Sequence, residues 1–220
     1  AYDQLGAGRI PLMVERLVSF EKEVSVLACR GIEGEIVIYP VGENHHKNSI
    51  LDETLVPAKI EEHAYQDALD IAKKVMDVFH GVGMFCIELF VTKEGQVLVN
   101  EVAPRPHNSG HYTIEGCVTS QFEQHIRAIT GLPFGSSKLR APTVMKNLLG
   151  EEKTYGNTVV SGLVKAYQDD DVKVHIYGKK TSSPYRKMGH ITVCCDDVDT
   201  ALMKARTAYN AINIKGEEHE

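Results

Sequence analysis

Apolar and polar positions alternate in short runs over the first forty residues, shift to a spacing of three and four at 60–81, and return to short runs afterwards. LMVERLV (12–18) and EVSVLAC (23–29) carry Val and Leu in the manner of strands, separated by a polar bend. IEGEIVIYPV (32–41) continues in the same style with Gly34 as a turn residue, so an antiparallel meander is expected. GENHHKNSILDETLVPAK (42–59) is polar with a Pro near its end and reads as a long loop with little regular structure. In IEEHAYQDALDIAKKVMDVFHG (60–81), Ala64, Ala68, Ile71, Ala72, Val75, Val78 and Phe79 define one helix face, and Gly81 is expected to end that helix.

Further along, SQFEQHIRAIT (120–130) predicts a second amphipathic helix. Ser120 is its N-cap, Glu123 stands at the capping-box position, Phe122, Ile126 and Ile129 form the apolar stripe, and Gly131-Leu132-Pro133 closes it. TVMKNLLG (143–150) resumes apolar structure, and EEKTYGN (151–157) marks a seam. DDDVKVHIYGKK (169–180) and MGHITVCC (188–195) read as strands around KKTSSPYR (179–186). The last helix is expected in DDVDTALMKARTAYNAI (196–212), where Ala201, Ala205 and Ala208 permit close packing, before an acidic tail at 217–220. The class is α+β.

MFCIELFV (84–91) and QVLVNEV (96–102) form the most informative pair of strands. A two-residue turn at Glu94-Gly95 sets Lys93 opposite Gln96 and therefore Glu88 opposite Glu101, with Cβ atoms about 5 Å apart. Apolar neighbours on both faces imply a largely buried hairpin. Two carboxylates side by side there repel and lose hydration, and a cation removes both penalties. All-oxygen ligands favour Mg²⁺ or Mn²⁺ over zinc, and Mg²⁺ usually shares its coordination sphere with phosphate oxygens.

VAPRPHNSGHYTIEG (102–116) follows directly, setting Arg105, His107, Asn108, Ser109 and His111 within seven positions beside two Pro and a Gly. No regular element accommodates that run, so it reads as a donor-rich loop for a small anionic ligand or a reacting acid. Lys179, Lys180, Arg186, Lys187 and His190 make a second positive cluster, on the scale of one phosphate monoester. Glu15 and Glu23 flank the first bend.

Composition narrows the classes. The 220 residues hold 43% apolar and 25% charged side chains, an ordinary globular balance with a formal charge of −6. An acidic chain with a single Tyr beside its basic cluster argues against nucleic-acid binding. Five Cys at 29, 86, 117, 194 and 195 form no CxxC pair and read as free thiols in a reducing, cytoplasmic setting, with Cys194 and Cys195 on opposite faces of a strand. No apolar run approaches the roughly 18 residues that a membrane span needs.

The strings ERLVSFEKEVSVLACR (15–30), YPVGENHHKNSI (39–50), NEVAPRPHNSGHYTIEGCVTSQFEQHIRAITGLP (100–133) and YRKMGHIT (185–192) resemble the N5-carboxyaminoimidazole ribonucleotide synthases. These are ATP-grasp enzymes of purine biosynthesis that, in fungi and plants, form the carboxylating unit of phosphoribosylaminoimidazole carboxylase, fused to a mutase domain. The third string is specific to these enzymes rather than to ATP-grasp proteins at large. The resemblance implies a partial ATP-grasp module followed by a small, barrel-like C-terminal α/β subdomain. Residues 1–55 would be the remnant of the nucleotide lid and hinge, 56–150 the core with the metal and substrate loop, and 151–216 the part that holds the substrate phosphate.

By position, the resemblance implies that Glu15 to Leu17 form the hinge at the adenine and that Glu23 holds ribose hydroxyls. His46 and Asn100 would lie at the nucleotide, with Glu88 and Glu101 ligating Mg²⁺ or Mn²⁺ between the ATP phosphates. Arg105, with Glu101, would serve catalysis over bicarbonate and carboxyphosphate. His107, Asn108 and Ser109 would face the aminoimidazole ribonucleotide, and Lys179 and Arg186 its 5′-phosphate. A homodimer is implied for the full-length enzyme.

Ala103 stands where related carboxylating enzymes place an Asn ligand, and Ser183 where an Arg often precedes RKMGH. The family's N-terminal nucleotide-fold domain, a Lys that reaches the ATP phosphates and the mutase domain are absent from the 220 residues. AYD (1–3) resembles the start of a glycine-rich loop that breaks off at Gln4. The alternatives are another ATP-grasp ligase, against which PRPHNSGH argues, a noncatalytic fragment, and the decarboxylating or mutase activity, which needs no ATP.

Overall fold

In a computed structural model, described here for residues 2–217 other than Gln4 and Ala7, strands dominate. Gln4, where the loop resemblance stops, and residues 218–220 of the acidic tail lie outside the described residues. Strands β1 (Lys22–Arg30), β2 (Ile36–Ile38), β3 (Gly42–Lys47) and β4 (Ile50–Val56) precede helix α1 (Glu62–Val78). β5 (Gly83–Val91) and β6 (Val97–Ala103) lead through a 3₁₀ turn at Asn108–Gly110 and the short α2 (Thr113–Gly116) to α3 (Gln121–Thr130). Then come β7 (Thr143–Leu149), β8 (Gly156–Ser161), α4 (Leu163–Ala166), β9 (Val172–Ile176) and β10 (Thr181–Ser182). β11 (Lys187–Cys194), α5 (Val198–Ala211) and β12 (Asn213–Glu217) complete the order.

Nine strands form one antiparallel sheet in the order β6-β5-β1-β3-β4-β7-β11-β9, with β2 also paired to β1; β10, β8 and β12 form a second, three-stranded sheet. Residues directly opposite each other share a face. The chain of partners Val24, Glu43, Leu55 and Val144 therefore marks one side of the large sheet. Helices α1 and α5 cover that side. Ala64, Ala68, Ala72 and Met76 pack on Val24, Val26, Ile87 and Leu89, while Ala201, Ala205 and Ala208 pack near Val144 and Ile191. The small Ala side chains let both helices approach closely. On the opposite face, Leu27, Cys86, Ala103 and Met145 pack with Tyr112, Cys117 and Ala128 from the 104–130 region. Glu88, Cys86, Asn147 and His190 belong to this second face by the same alternation.

Several expectations change. Residues 12–18 are not a strand but an exposed stretch without regular structure, with Leu17 94% accessible. The edges of β1 are already taken, by β5 on one side and by β2 and β3 on the other. Residues 42–59 are not a loop but the β3–β4 hairpin, turning at Asn48 and Ser49, both at positive φ (53° and 60°). Helix α1 ends at Phe79, which is extended, before Gly81 is reached.

Ser120 does cap α3, accepting from the Glu123 N–H, and Gly131 ends that helix at φ 69° in the left-handed region where glycine carries no steric penalty. Its stripe, however, faces outward: Phe122, Ile126 and Ile129 are 41%, 53% and 49% accessible, and Gln121, Gln124 and Ala128 are buried instead. The two glutamines are drawn inward by the backbone. Gln121 bonds both N–H and C=O of His107, and Gln124 bonds both of Gly135. β6 is an edge strand whose central residues are exposed, so the hairpin is buried on the β5 side only.

All five cysteines are free, with Cys194 reaching the Thr143 hydroxyl and Cys195 reaching Asp171. Among the described residues, no helix is long and apolar enough to cross a membrane.

Candidate functional site

Glu88 does oppose Glu101, although the expected two-residue turn is wrong. The Thr92 N–H bonds the Gln96 carbonyl and the ladder starts at Val91 and Val97, one residue out of step; a bulge between Glu88 and Leu89 then absorbs the offset. Asn100 is the extra residue, without a partner across the ladder. A bulge of this kind decides which face a side chain takes, because a slip of one residue reverses the face. Without it, Glu101 would oppose Ile87, whose side chain lies under α1. With it, Glu101 joins Glu88 on the second face. Burial, and then the charge of Glu101, raise the Glu88 pKa.

The loop after β6 folds back to Glu88, while Glu101 stays exposed. His107 caps the 3₁₀ turn, its Nδ1 lying 3.0 Å from Ser109 Oγ, and its Nε2 is 3.6 Å from Glu88 Oε1. Burial, followed by the charges of Arg105 and Lys187, lowers the His107 pKa to about 4, so the ring is neutral at pH 7 and its contact with Glu88 is no ion pair. Asn108 and Asn147 exchange two side-chain hydrogen bonds, 3.0 and 2.7 Å, which tie the loop to β7. Gly110 admits no side chain: a Cβ there would meet the Gln121 amide and Leu27.

Behind the loop, three imidazoles form a stack, His190 buried and His111 and His175 half-buried. His175 lies 4.4 Å from His190 and His111 lies 4.9 Å from it, centroid to centroid. Tyr177 Oη is 2.9 Å from His190 Nδ1, and Glu115 is 2.7 Å from His175. Burial lowers His111 to about 4 and His190 to about 3, so both rings fill space as neutral groups. The stack sets the loop against β9 and β11.

On the positive side, Lys179 Nζ donates to the Lys187 carbonyl at 2.6 Å, and the Arg186 guanidinium donates to the carbonyl and hydroxyl of Thr181 at 2.7 and 2.8 Å. Lys187 is half-buried, and burial lowers its pKa against the pull of Glu88. At the other end, His46 Nδ1 lies 2.7 Å from Glu23 Oε2, joining β3 to β1. The arrangement thus offers oxygen ligands for a hard cation, neutral imidazole and amide donors, and separate cationic groups for anions.

The ATP-grasp domain family matches residues 1–122. The chain belongs to the ATP-grasp family. Within this ATP-grasp chain, residues 143–204 also match the phosphoribosylaminoimidazole carboxylase C-terminal domain. The N5-carboxyaminoimidazole ribonucleotide synthase of Bacillus subtilis is 47% identical over 185 residues, 82% of this chain and 46% of that protein. The crystal structure of the Thermotoga maritima N5-carboxyaminoimidazole ribonucleotide synthetase superposes with a TM-score of 0.87 at 52% identity, covering 92% of this chain and 55% of that one. The Aspergillus clavatus synthase, in complex with ADP and 5-aminoimidazole ribonucleotide, gives a TM-score of 0.78 at 32% identity over 88% of this chain and 52% of its own. The chain therefore spans about half the length of the relatives it matches.

For an ATP-grasp chain the distribution of the expected residues is uneven. Glu88, Glu101, His107, Asn108 and Ser109 gather on one face, with Glu23 and His46 paired on the same face of β1 and β3. Asn100 sits at the bulge, Arg105 in the loop beyond it, and Lys179 and Arg186 near the start of β11. Glu15 and Leu17 lie in the exposed stretch before β1 and are not enclosed. Asn147, Gln121 and Cys86 also touch these residues and had no role from sequence, and Lys187, expected in the second positive cluster, stands near Glu88. Asn147 was visible as a polar residue inside an apolar strand. Gln121 was hidden, because hydropathy assigns an amide to the wrong face of α3.

Proposed function

We propose that this chain, within a longer protein, provides the cation-binding hairpin and substrate loop of an ATP- and bicarbonate-dependent carboxylation of 5-aminoimidazole ribonucleotide, giving N5-carboxyaminoimidazole ribonucleotide. The observation that carries the reading is the Glu88–Glu101 pair on the sheet face over which the His107–Ser109 turn folds. Its family setting supports it. Mg²⁺ or Mn²⁺ fits the pair, since both donors are carboxylates and Glu88 is held in a site that penalises its bare charge. When bound, such an ion supplies charge neutralisation at phosphate oxygens.

The protein's own groups do the rest. Glu23 with His46, and the Glu15–Leu17 stretch, take the nucleotide's sugar and base, with Asn100 beside its phosphates. Arg105 holds bicarbonate and the carboxyphosphate made from it. The neutral His107, with Asn108 and Ser109, orients the ribonucleotide so that its exocyclic amine attacks the activated carboxyl carbon, giving a carbamate, ADP and phosphate. Lys179 and Arg186 hold the 5′-phosphate. Positioning and exclusion of water matter more than a strong base, because carboxyphosphate is already reactive. Homodimeric assembly, a cytoplasmic setting and fusion to a mutase domain accompany this reading.

Glu101→Gln in the complete protein is the test. Magnesium-dependent nucleotide affinity should fall roughly tenfold to a hundredfold, the worth of one charge-assisted ligand. Unchanged nucleotide affinity together with a normal rate would remove the basis for the assignment.

A further inference from the structure

Glu88 faces two different sets of donors. Across the ladder it meets Glu101; along its own strand, two residues earlier and on the same face, it meets Cys86, and from the loop it meets His107. The Cys86 Sγ, a Glu88 carboxylate oxygen and a His107 ring nitrogen all lie within 4.8 Å of one another. This second set mixes sulfur, nitrogen and oxygen, a combination that hard cations do not select and zinc does.

We propose that Cys86, Glu88 and His107 form a binding site for a thiophilic divalent cation, zinc by preference, distinct from the Glu88–Glu101 pair. Tetrahedral zinc with bonds of about 2.0–2.3 Å sets its ligand atoms roughly 3.3–3.7 Å apart. His107 Nε2 and Glu88 Oε1 already stand 3.6 Å apart. In the tautomer whose Nδ1–H donates to Ser109 Oγ at 3.0 Å in place of the 3.4 Å cap, His107 is oriented for the task, with the Nε2 lone pair toward the carboxylate. Ser109 Oγ also lies 3.4 Å from Cys86 Sγ, so one hydroxyl braces two ligands. Cys86 forms the buried floor, while the Glu88 and His107 side chains keep 17% and 15% accessibility and leave an entry from the substrate side.

Binding replaces the Cys86 S–H bond with a metal–sulfur bond and releases the proton to solvent. One thiolate and one carboxylate balance the ion's charge, and a fourth position stays open on the loop side. An ion seated here would hold Glu88 and His107 together, and the carboxylate would no longer be free to serve a hard cation with Glu101. Zinc would thus act as an inhibitor that works through the floor of the site.

Cobalt(II) added to the full chain, reduced and free of metal, reads the site directly, because thiolate ligation gives an intense near-ultraviolet charge-transfer band. One equivalent of cobalt should produce the band, and zinc should displace it stoichiometrically. Cys86→Ala and Cys86→Ser should both abolish the band and weaken zinc binding about a hundredfold. His107→Gln should keep the band while weakening zinc binding about tenfold, and since its side chain keeps some solvent access where Cys86 has none, it is the variant that folds if the Cys86 changes do not. Cys195→Ser should leave both readouts unchanged. No band in the parent chain, a band that survives loss of Cys86, or zinc affinity indifferent to His107→Gln would each overturn the site.

Discussion

Glu53 is only 2% exposed, yet it carries a charge because cations meet it from three elements. Arg206 of α5 donates two hydrogen bonds at 2.8 Å, Lys146 of β7 donates at 3.1 Å, and His45 of β3 stands at 3.5 Å. Burial pushes its pKa up, but the bonds from Arg206 and His45 and the Lys146 charge outweigh it and hold the carboxyl well below the usual carboxylate range. The folded-state pKa is depressed, so this stabilisation is present above about pH 4.5 and is lost as pH falls below it. Glu53→Ala takes the shared partner from Arg206, Lys146 and His45, of which Lys146 keeps Asp52 and His45 keeps Glu43, and should cost about 1.5–3 kcal/mol in denaturant titrations at pH 7. Glu88 has the opposite sign. Its folded pKa is raised, so its contribution is fully favourable below 4.5 and is lost as pH rises through the folded value. Glu88→Gln should therefore melt higher than the parent at pH 7–8 in chelator, with the gap closing toward pH 4; an equal gap at both pH values would contradict the burial argument. The acids at 88 and 101 were legible from sequence because both lie in the two strands of one local hairpin. Glu53 was not, since its partners come from 93 and 153 residues away.

Hairpins separate what pattern reading can and cannot supply. The β3–β4 strands are rich in His, Asn, Asp and Glu, which read as a loop, but they sit in mid-sheet where paired side chains satisfy one another: Thr54 donates to Asn44, and Lys22 with the Lys59 N–H serves Glu43. Hydropathy has no access to such cross-strand pairing. The turn was equally disguised. Asn48 and Ser49 both adopt the left-handed conformation of a two-residue hairpin turn, where Asn is common but Ser is strained. Ser49→Gly should stabilise the protein by about 1 kcal/mol, read as a shift in urea midpoint with unchanged slope. A neutral or destabilising result would mean that the turn is not held in this form. For β5–β6 the pairing of Glu88 with Glu101 came out right through two offsetting features, a longer turn and the Asn100 bulge. The α3 stripe went wrong because apolar residues mark the inner face of a helix only when the polar ones have nothing to clamp, and Gln121 and Gln124 each clamp a backbone segment.

At the level of the whole molecule, the strings that carried the family resemblance cover β1, β3, the loop after β6 with α3, and most of β11, so the class of site was readable while the strand order was not. That order has a kinetic side. β4 finds its outer neighbour in β7, with Glu53 opposite Lys146 and Val56 opposite Thr143, so the middle of the sheet closes only after a separation of nearly a hundred residues. Contacts so remote in sequence form late, because loop closure must be paid before pairing rewards it. Until then the edge of β4 is an open template of unpaired N–H and C=O groups. The gap between the two family matches, 123–142, therefore falls just before the strand that seals this edge. A chain ending at residue 142 should fold incompletely and associate through β4, seen as high-mass species in light scattering and as thioflavin-positive material. A soluble monomer of that length, with the exchange protection of an intact sheet, would show instead that the first six strands close among themselves. On the ribosome, the same topology leaves the newly emerged half dependent on holding chaperones until its seventh strand arrives.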